Sequence, residues 1–562
     1  MAQQKIGGVT RRNFVKGGLA ASALAALAAC KNDAATGGEG SEGGASGAIL
    51  NYYINNPVSI DPYNAQEDQG MQVCYQLFDA LTIYDFDTDE LMGLAAESWD
   101  VNDAADEFTF HLVEGATFHN GDPVTAADFK YAWERVCNPK TGNQPSQISY
   151  HLSLVDGYDA MLDGSATELS GLSCPDDNTF VVKLSAPYAD FPFVCSHPAL
   201  SPVPSSAPME AGDDFDAFFR APIGNGAFKM DGSWVDGQEI NLVRYDDYYG
   251  EAAKIDGVHF SIQKDVETAY REFQAGNLDV CQIPTAQLQD AIDQYGESED
   301  GYNMAPEQHV LDGAELSTYY ILINMEDEQM ADVNLRHALS LAINREAICE
   351  TCFMGIGATP ADNIVPPGLD GYEEGAWPYA KYDPEQAAQI LDEAGYTADA
   401  DGNRGITLTL SYNLDGSHKQ IMEMVIADFN AIGIQVESDT QEWATILDNY
   451  AAGNFQFGRL GWIADYPIMD NFIYPLFYTG NGDNRGKYSN AEVDSAIDAA
   501  RATLDKDART EALKAVNRVI AEDCPDIPIF FYTHTMVGSE RVNALNMNML
   551  KLVDMAEVEL EA

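Results

Sequence analysis

Residues 406–465 read ITLTLSYNLDGSHKQIMEMVIADFNAIGIQVESDTQEWATILDNYAAGNFQFGRLGWIAD, and their periodicity decides the fold class. Ile406, Leu408, Leu410 and Tyr412 alternate with polar residues, the period-two pattern of a half-buried strand. Ser417 to Ala431 has helical spacing and stops at Gly433; Ile434 to Thr440 reads as a second strand. Trp443 to Ala452 is a second helix, ended by Gly453, and Phe455 to Leu460 a third strand. The order is β-α-β-α-β, which predicts an α/β fold with a parallel sheet and right-handed crossovers. In such sheets ligands gather in the crevice outside the carboxyl ends of the strands. That rule selects His418 after the first strand, Trp443 after the second, and Arg459, Trp462 and Asp465 at or beyond the third. An imidazole, two indoles, a guanidinium and a carboxylate on one rim suit a small zwitterionic ligand. Taken singly, each also reads as structure: the two Trp as core aromatics, His418 as a helix-start residue, Arg459 as the ion-pair partner of Asp465.

Outward from this unit the helical signals continue. Asp383-Pro384 with Gln386 starts a helix whose Ala387, Ile390, Leu391 and Ala394 face inward and which Gly395 stops. The first half reads as short strands and hairpins with a few helices. Thr125 with Asp128 forms a capping box before Phe129, Ala132, Trp133 and Val136 on one helix face. Glu239 to Tyr245 alternates as a strand, and the Pro-rich turns from Pro198 to Pro208 suggest a crossing between lobes.

The amino-terminal segment addresses the chain. Thr10-Arg11-Arg12-Asn13-Phe14-Val15-Lys16 is a paired-arginine export signal, the apolar run Gly17 to Ala29 follows, and Leu27-Ala28-Ala29-Cys30 is a lipoprotein cleavage box. The run is too short for the roughly 20 residues of a membrane-spanning helix, so residues 1–29 are expected to be removed and Cys30 to carry lipid. Residues 34–48, nearly all Gly, Ala, Ser and Glu, make a flexible tether with a reach of roughly 20 Å. The body that follows, roughly 510 residues, exceeds what one core usually serves and predicts two or three lobes.

The net charge of -60 excludes nucleic acid as a partner by repulsion and predicts a strongly solvated exterior. Apart from Cys30 there are eight cysteines, enough for four disulfides in an oxidising compartment, with 105 possible connectivities. Cys349-Glu350-Thr351-Cys352 has redox spacing but follows the helical pattern Leu335 to Ile348, which favours a local disulfide or two buried thiols. No Gly-x-Ser-x-Gly elbow, His-Glu-x-x-His helix or phosphate loop is present; Gly224-x-Gly226 and Gly355-x-Gly357 lack the third glycine. The nine His residues form no cluster at metal-ligand spacing. Neither catalysis, nor a metal, nor a cofactor is expected.

Several longer stretches carry a resemblance. They are Ser59-Ile60-Asp61-Pro62, the run Glu114 to Ala126 (EGATFHNGDPVTA), Pro222 to Phe228 (PIGNGAF), Ala275 to Asp279 (AGNLD) and Asp332 to Leu339 (DVNLRHAL). From about Asn51 to Val542 the chain resembles the extracellular solute-binding proteins of the peptide and nickel uptake family. The segment Gln441-Glu442-Trp443 to Gly461-Trp462-Ile463-Ala464-Asp465-Tyr466 places it nearest the oligopeptide-binding branch. The resemblance implies a periplasmic-binding-protein-like class II fold of three lobes: lobe I about 49–72, 205–314 and 525–562, lobe II about 73–204, lobe III about 315–524. It implies that Asp465 receives a peptide's α-ammonium group, that Arg459 and His418 meet peptide carboxylates, and that Trp443 lines a side-chain pocket. Tyr450 stands where that branch has a basic residue and is counted with the ligand-binding set. The implied role is capture of short peptides for an ABC importer by a monomeric lipoprotein on the outer face of the cytoplasmic membrane. The same scaffold serves carriers of metal chelates, haem or oligosaccharides, and receptors that sense peptides without importing them.

Overall fold

The computed structural model describes residues 5–6, 48–65, 67–86, 88, 90–414 and 417–561; the export signal at 10–16, Cys30 and the tether up to residue 47 lie outside the described residues. In the β-α-β-α-β stretch the strands run Thr407–Tyr412, Gln435–Thr440 and Phe457–Ile463, and the helices His418–Ala431 and Trp443–Ala452. The first strand lies between the other two and is parallel to both. Leu408 and Leu410 are buried while Thr407 and Thr409 face solvent, as the alternation requires. Ile421, Met422, Val425 and Phe429 bury one face of the longer helix against them. Gly433 and Gly453 take φ of 86° and 74°, the left-handed conformation that ends a helix without a Cβ penalty. Gln435–Thr440 forms the outer edge, with Gln435, Glu437 and Ser438 exposed, a polar edge that discourages further pairing.

The third strand outruns its expected end at Leu460. Val310–Ile323 pairs antiparallel with it as far as Ser317 opposite Ile463, so hydrogen bonds from a strand distant in sequence hold Trp462 inside the sheet. Through that pairing the unit joins an eleven-stranded mixed sheet. Beyond Val310–Ile323 come Asp526–Gly538, Val280–Gln282, Ile49–Ile54, Gly257–Ile262, Glu239–Arg244 and Phe228–Met230, with Ala358–Pro360 alongside Asp526–Gly538. The long central pair, Val310–Ile323 and Asp526–Gly538, slips register between Ala314 and Thr318 and again between Tyr319 and Tyr320. A separate five-stranded antiparallel sheet contains Ala96–Val101, Glu107–Leu112, Thr179–Lys183 and Leu172–Asp176, with Lys5–Ile6 on its edge. The helix Ala126–Cys137 lies against it. Its Thr125/Asp128 capping box forms, Phe129 and Trp133 are fully buried, and the Trp133 indole donates to the Leu200 carbonyl at 2.8 Å.

The longer sequence markers are clamps between segments. Asp61 receives both prongs of Arg135 at 2.6 Å, fully buried. His119 bonds Gly224 and Gly226, so two markers more than 100 residues apart meet directly. Asp279 accepts from Asn51, Ser539 and Arg541. Arg336 donates to the carbonyls of Asp523 and Cys524, which close the helix Lys506–Asp523. Buried charges and backbone groups left without such partners are costly, which is why these residues sit where distant chain segments cross.

All eight described cysteines are unpaired. Cys349 and Cys352 lie one turn apart on the helix Arg345–Phe353 and form no disulfide; the thiol of Cys352 approaches the Met424 sulfur at 3.9 Å instead. Among the described residues no helix is long and apolar enough to cross a membrane.

Candidate functional site

The carboxyl end of the Phe457–Ile463 strand opens on a cavity of about 420 Å³. Its walls come from stretches far apart in the sequence: Tyr84 and Phe86, His197 and Pro198, Ile463 to Asp465, and Leu550 and Lys551. Asp465 is the first residue past the strand with a charged side chain, and its surroundings are built by three other segments. The Tyr150 hydroxyl donates to Asp465 Oδ1 at 3.1 Å, and the Asn471 amide donates to Oδ2 at 3.1 Å. Asn471 Oδ1 in turn accepts from the Asp465 backbone at 3.0 Å and from the Trp462 indole at 3.1 Å. One buried amide at the start of the helix Asp470–Phe477 thus fixes the indole, the loop and the carboxylate together.

Asp465 has no Lys or Arg within ion-pair distance among the described residues. The expected pair with Arg459 is not formed. Arg459 and Ile463 are separated by four residues of one extended strand, about 13 Å, which carries Asp465 away from the guanidinium. Burial therefore raises the Asp465 carboxyl above its ordinary range, opposed by the hydrogen bonds from Asn471 and Tyr150.

Two histidines complete the surroundings. His151 and His197 lie with ring centres 4.3 Å apart and planes tilted by 37°, and one nitrogen of each and an Asp465 oxygen all lie within 4.8 Å of one another. Burial pushes both imidazoles down to about 3, so both are neutral at pH 7. His197 Nδ1 accepts from the Ala199 amide at 3.2 Å, whereas both nitrogens of His151 are buried without a partner. Tyr150, His151, His197 and Asn471 were not legible as site residues. No spacing motif links positions 151, 197 and 465, and only the folded chain brings them together.

The remaining predicted residues form a second cluster. The Arg459 guanidinium lies 4.1 Å from the Trp443 ring centre and 6.0 Å from that of Tyr319, and its Nε donates to Asn413 at 2.7 Å. Tyr319 stacks on His418 with ring centres 5.7 Å apart, its hydroxyl 3.3 Å from His418 Nδ1. Arg459, Trp443 and His418 thus come together, apart from Asp465 and Trp462. Tyr450 corrects its expectation. It is fully buried, and its hydroxyl bonds the carbonyls of Ser411 and Arg459, bridging two strands from beneath, so it presents no surface to a ligand.

Close to Asp465 the chain segments around 190 and 500 are locked together. Asp190 takes Arg509 Nε at 2.7 Å and a second nitrogen at 2.5 Å, both side chains buried. Arg501 pairs with Asp470 at 3.3 Å between the rings of Tyr188 and Tyr474.

A cavity bounded by distant segments, with a carboxylate that lacks a cation, is built to receive something. The model of the bacterial extracellular solute-binding proteins, family 5, matches residues 90–484. The chain belongs to this family. The dipeptide-binding protein DppE of Bacillus subtilis is 29% identical over 553 residues, covering 96% of this chain and 97% of that one. The periplasmic oligopeptide-binding protein OppA of Salmonella typhimurium is 29% identical over 538 residues, covering 94% of each. Among solved structures, Haemophilus influenzae OppA in complex with the peptide RPPGFSPFR superposes with a TM-score of 0.71 at 27% identity, over 91% of this chain and 99% of that one. This family-5 protein therefore has a periplasmic-binding-protein-like fold, and its family is one of extracellular solute binders, not of catalysts.

Proposed function

We propose that this protein captures short peptides in the cavity and delivers them to the membrane components of an ABC importer. The observation that carries the reading is Asp465, a carboxylate fixed by Asn471 and Tyr150 yet given no Lys or Arg partner among the described residues. A peptide's α-ammonium group supplies that charge. Leaving such a group unpaired costs about 3–5 kcal/mol, which corresponds to roughly two to four decades in dissociation constant. Trp462 packs beside this anchor; Arg459 and His418 receive the carboxylate end of the peptide, and Trp443 lines a side-chain pocket. Backbone pairing along exposed edges and water in the pockets accommodate varied side chains. Relatives named for dipeptide and oligopeptide binding support this ligand class.

The finer features belong to the same proposal. The chain is organised as lobe I (about 49–72, 205–314 and 525–562), lobe II (about 73–204) and lobe III (about 315–524), closing over the ligand as a monomer. Lipid on Cys30 holds it to the outer face of the cytoplasmic membrane. The test is calorimetry on protein unfolded and refolded to strip retained ligand, with a pool of tri- to pentapeptides. Wild type binds; Asp465→Asn, and wild type offered N-acetylated peptides, do not. Equal affinity for free and acetylated peptides would overturn the role of Asp465, and absence of heat from refolded wild type would overturn peptide as the cargo.

A further inference from the structure

Two imidazoles and a carboxylate converging on one point are more than an ammonium group needs. We propose that His151, His197 and Asp465 form a binding site for a divalent transition-metal ion of the Zn²⁺ class, entered from the cavity. This rests on the same site as the peptide reading but not on peptide binding. Imidazole nitrogen with carboxylate oxygen is the donor set that borderline ions select over hard ones such as Ca²⁺.

Four observations meet at this place. The three candidate ligand atoms lie within 4.8 Å of one another, and the residues come from three segments that share no local reason to meet. His151 is 7% exposed with neither nitrogen partnered, an arrangement that buried polar groups avoid unless something else occupies the site. The carboxylate is already oriented by Tyr150 and Asn471, one bond to each oxygen, and each oxygen keeps a further lone pair. Outer groups that hold a ligating carboxylate in this way are a regular part of metal sites. Finally, His197 and Asp465 line the cavity, which provides the entry path.

The geometry also states what binding requires. Ligand atoms about 2.0–2.1 Å from a tetrahedral centre are about 3.4 Å apart, so the three side chains close inward on the ion. The Ala199 amide donates to His197 Nδ1, which leaves the ring proton on Nε2 in the metal-free protein. Coordination through Nε2 requires the other neutral tautomer, with the ring proton on Nδ1, and so gives up the long hydrogen bond from the Ala199 amide in exchange for a metal–nitrogen bond. Three protein ligands leave at least one coordination position for a group from the cavity.

The experiment uses the whole protein, treated with EDTA and dialysed, and titrates Zn²⁺ alone in excess Ca²⁺, which occupies the acidic surface. Co²⁺ alone serves as the spectroscopic probe. The expected result is one Zn²⁺ per chain, visible Co²⁺ absorption bands of a low-coordinate site, and affinity reduced about 100-fold in His151→Gln and in His197→Gln. Tyr150→Phe, which keeps the ring against His151 and removes only the hydroxyl bonded to the carboxylate, should weaken the ion about tenfold. Near-ultraviolet circular dichroism checks that each variant is folded. Zn²⁺ binding unchanged in both histidine variants overturns the site, as does absence of Zn²⁺ binding by wild type in excess Ca²⁺. Peptide calorimetry on the same EDTA-treated protein separates the two readings. Peptide bound without any zinc site, with weaker peptide in His151→Gln, assigns the histidines to the ammonium group and overturns the metal. Zinc bound without peptide leaves the metal and removes the peptide.

Discussion

Asp190 and Asp465 stand on the same boundary, between the first-half segments around 150–197 and the second-half segments around 465–509, and they are treated in opposite ways. Asp190 receives both prongs of Arg509 and is closed to solvent. Asp465 receives a phenol and an amide, has two imidazoles nearby, and faces a cavity. The fold supplies a cation where two surfaces must stay together and withholds one where a guest must enter. A carboxylate shut away from solvent is therefore not evidence of a site by itself; a missing partner at the wall of an open cavity is.

The largest effect that tests this contrast is on stability. Arg509→Ala leaves Asp190 buried and unpaired and should lower the free energy of unfolding by about 3–5 kcal/mol in urea titrations. Asp465→Asn should change it by less than about 1 kcal/mol, because no ion pair is lost. Similar losses in both variants would erase the distinction between latch and socket.

A third carboxylate extends the comparison to pH. Asp526, buried in the Asp526–Gly538 strand with no cation, is pushed up to about 8 by burial, opposed only by a hydrogen bond from the Ile323 backbone. Its ordinary value is about 3.9, so between about pH 4 and pH 8 the folded protein holds a proton that the unfolded chain has released. Stability must fall as pH rises through that window, and the penalty is complete above about 8. Between pH 5 and 7 the contribution is about 3 kcal/mol. Asp526→Asn should remove that slope from stability measured against pH; an unchanged slope means that the carboxyl is not held neutral.

Smaller effects sharpen the picture. Tyr150→Phe deletes one hydrogen bond to the Asp465 carboxylate and should weaken peptide binding about tenfold, read by the same calorimetry. Trp443→Leu removes the ring beneath Arg459 and should cost about 1 kcal/mol of stability. A loss of peptide affinity without loss of stability would instead assign Trp443 to the ligand alone.

How much of this was legible depended on range. In residues 406–465 every local rule agreed: Leu408 and Leu410 alternate with threonines, Ile421 to Phe429 follow helical spacing, and Gly433 and Gly453 stop the helices. The end of the third strand was misplaced because its hydrogen bonds come from Val310–Ile323, which no window around Leu460 contains. The crevice rule reached Trp462 and Asp465 because one lies in the last residues of the Phe457–Ile463 strand and the other just beyond it. It also collected Arg459, which the extended strand carries away from Asp465, and the resemblance added Tyr450, whose hydroxyl is consumed by two strand carbonyls. His151, His197 and Tyr150 reach the site from another part of the chain, and only packing brings them there. Asp61, His119, Asp279 and Arg336 were legible as markers, but their clamping role appears only when their partners, in segments remote in sequence, are in place.

The two register slips in the central strand pair have a mechanical meaning. A ladder that slips between Ala314 and Thr318, and again beside Tyr319, has fewer rungs there than on either side. The eleven-stranded sheet is thus stitched least densely near its middle, at the central strand pair.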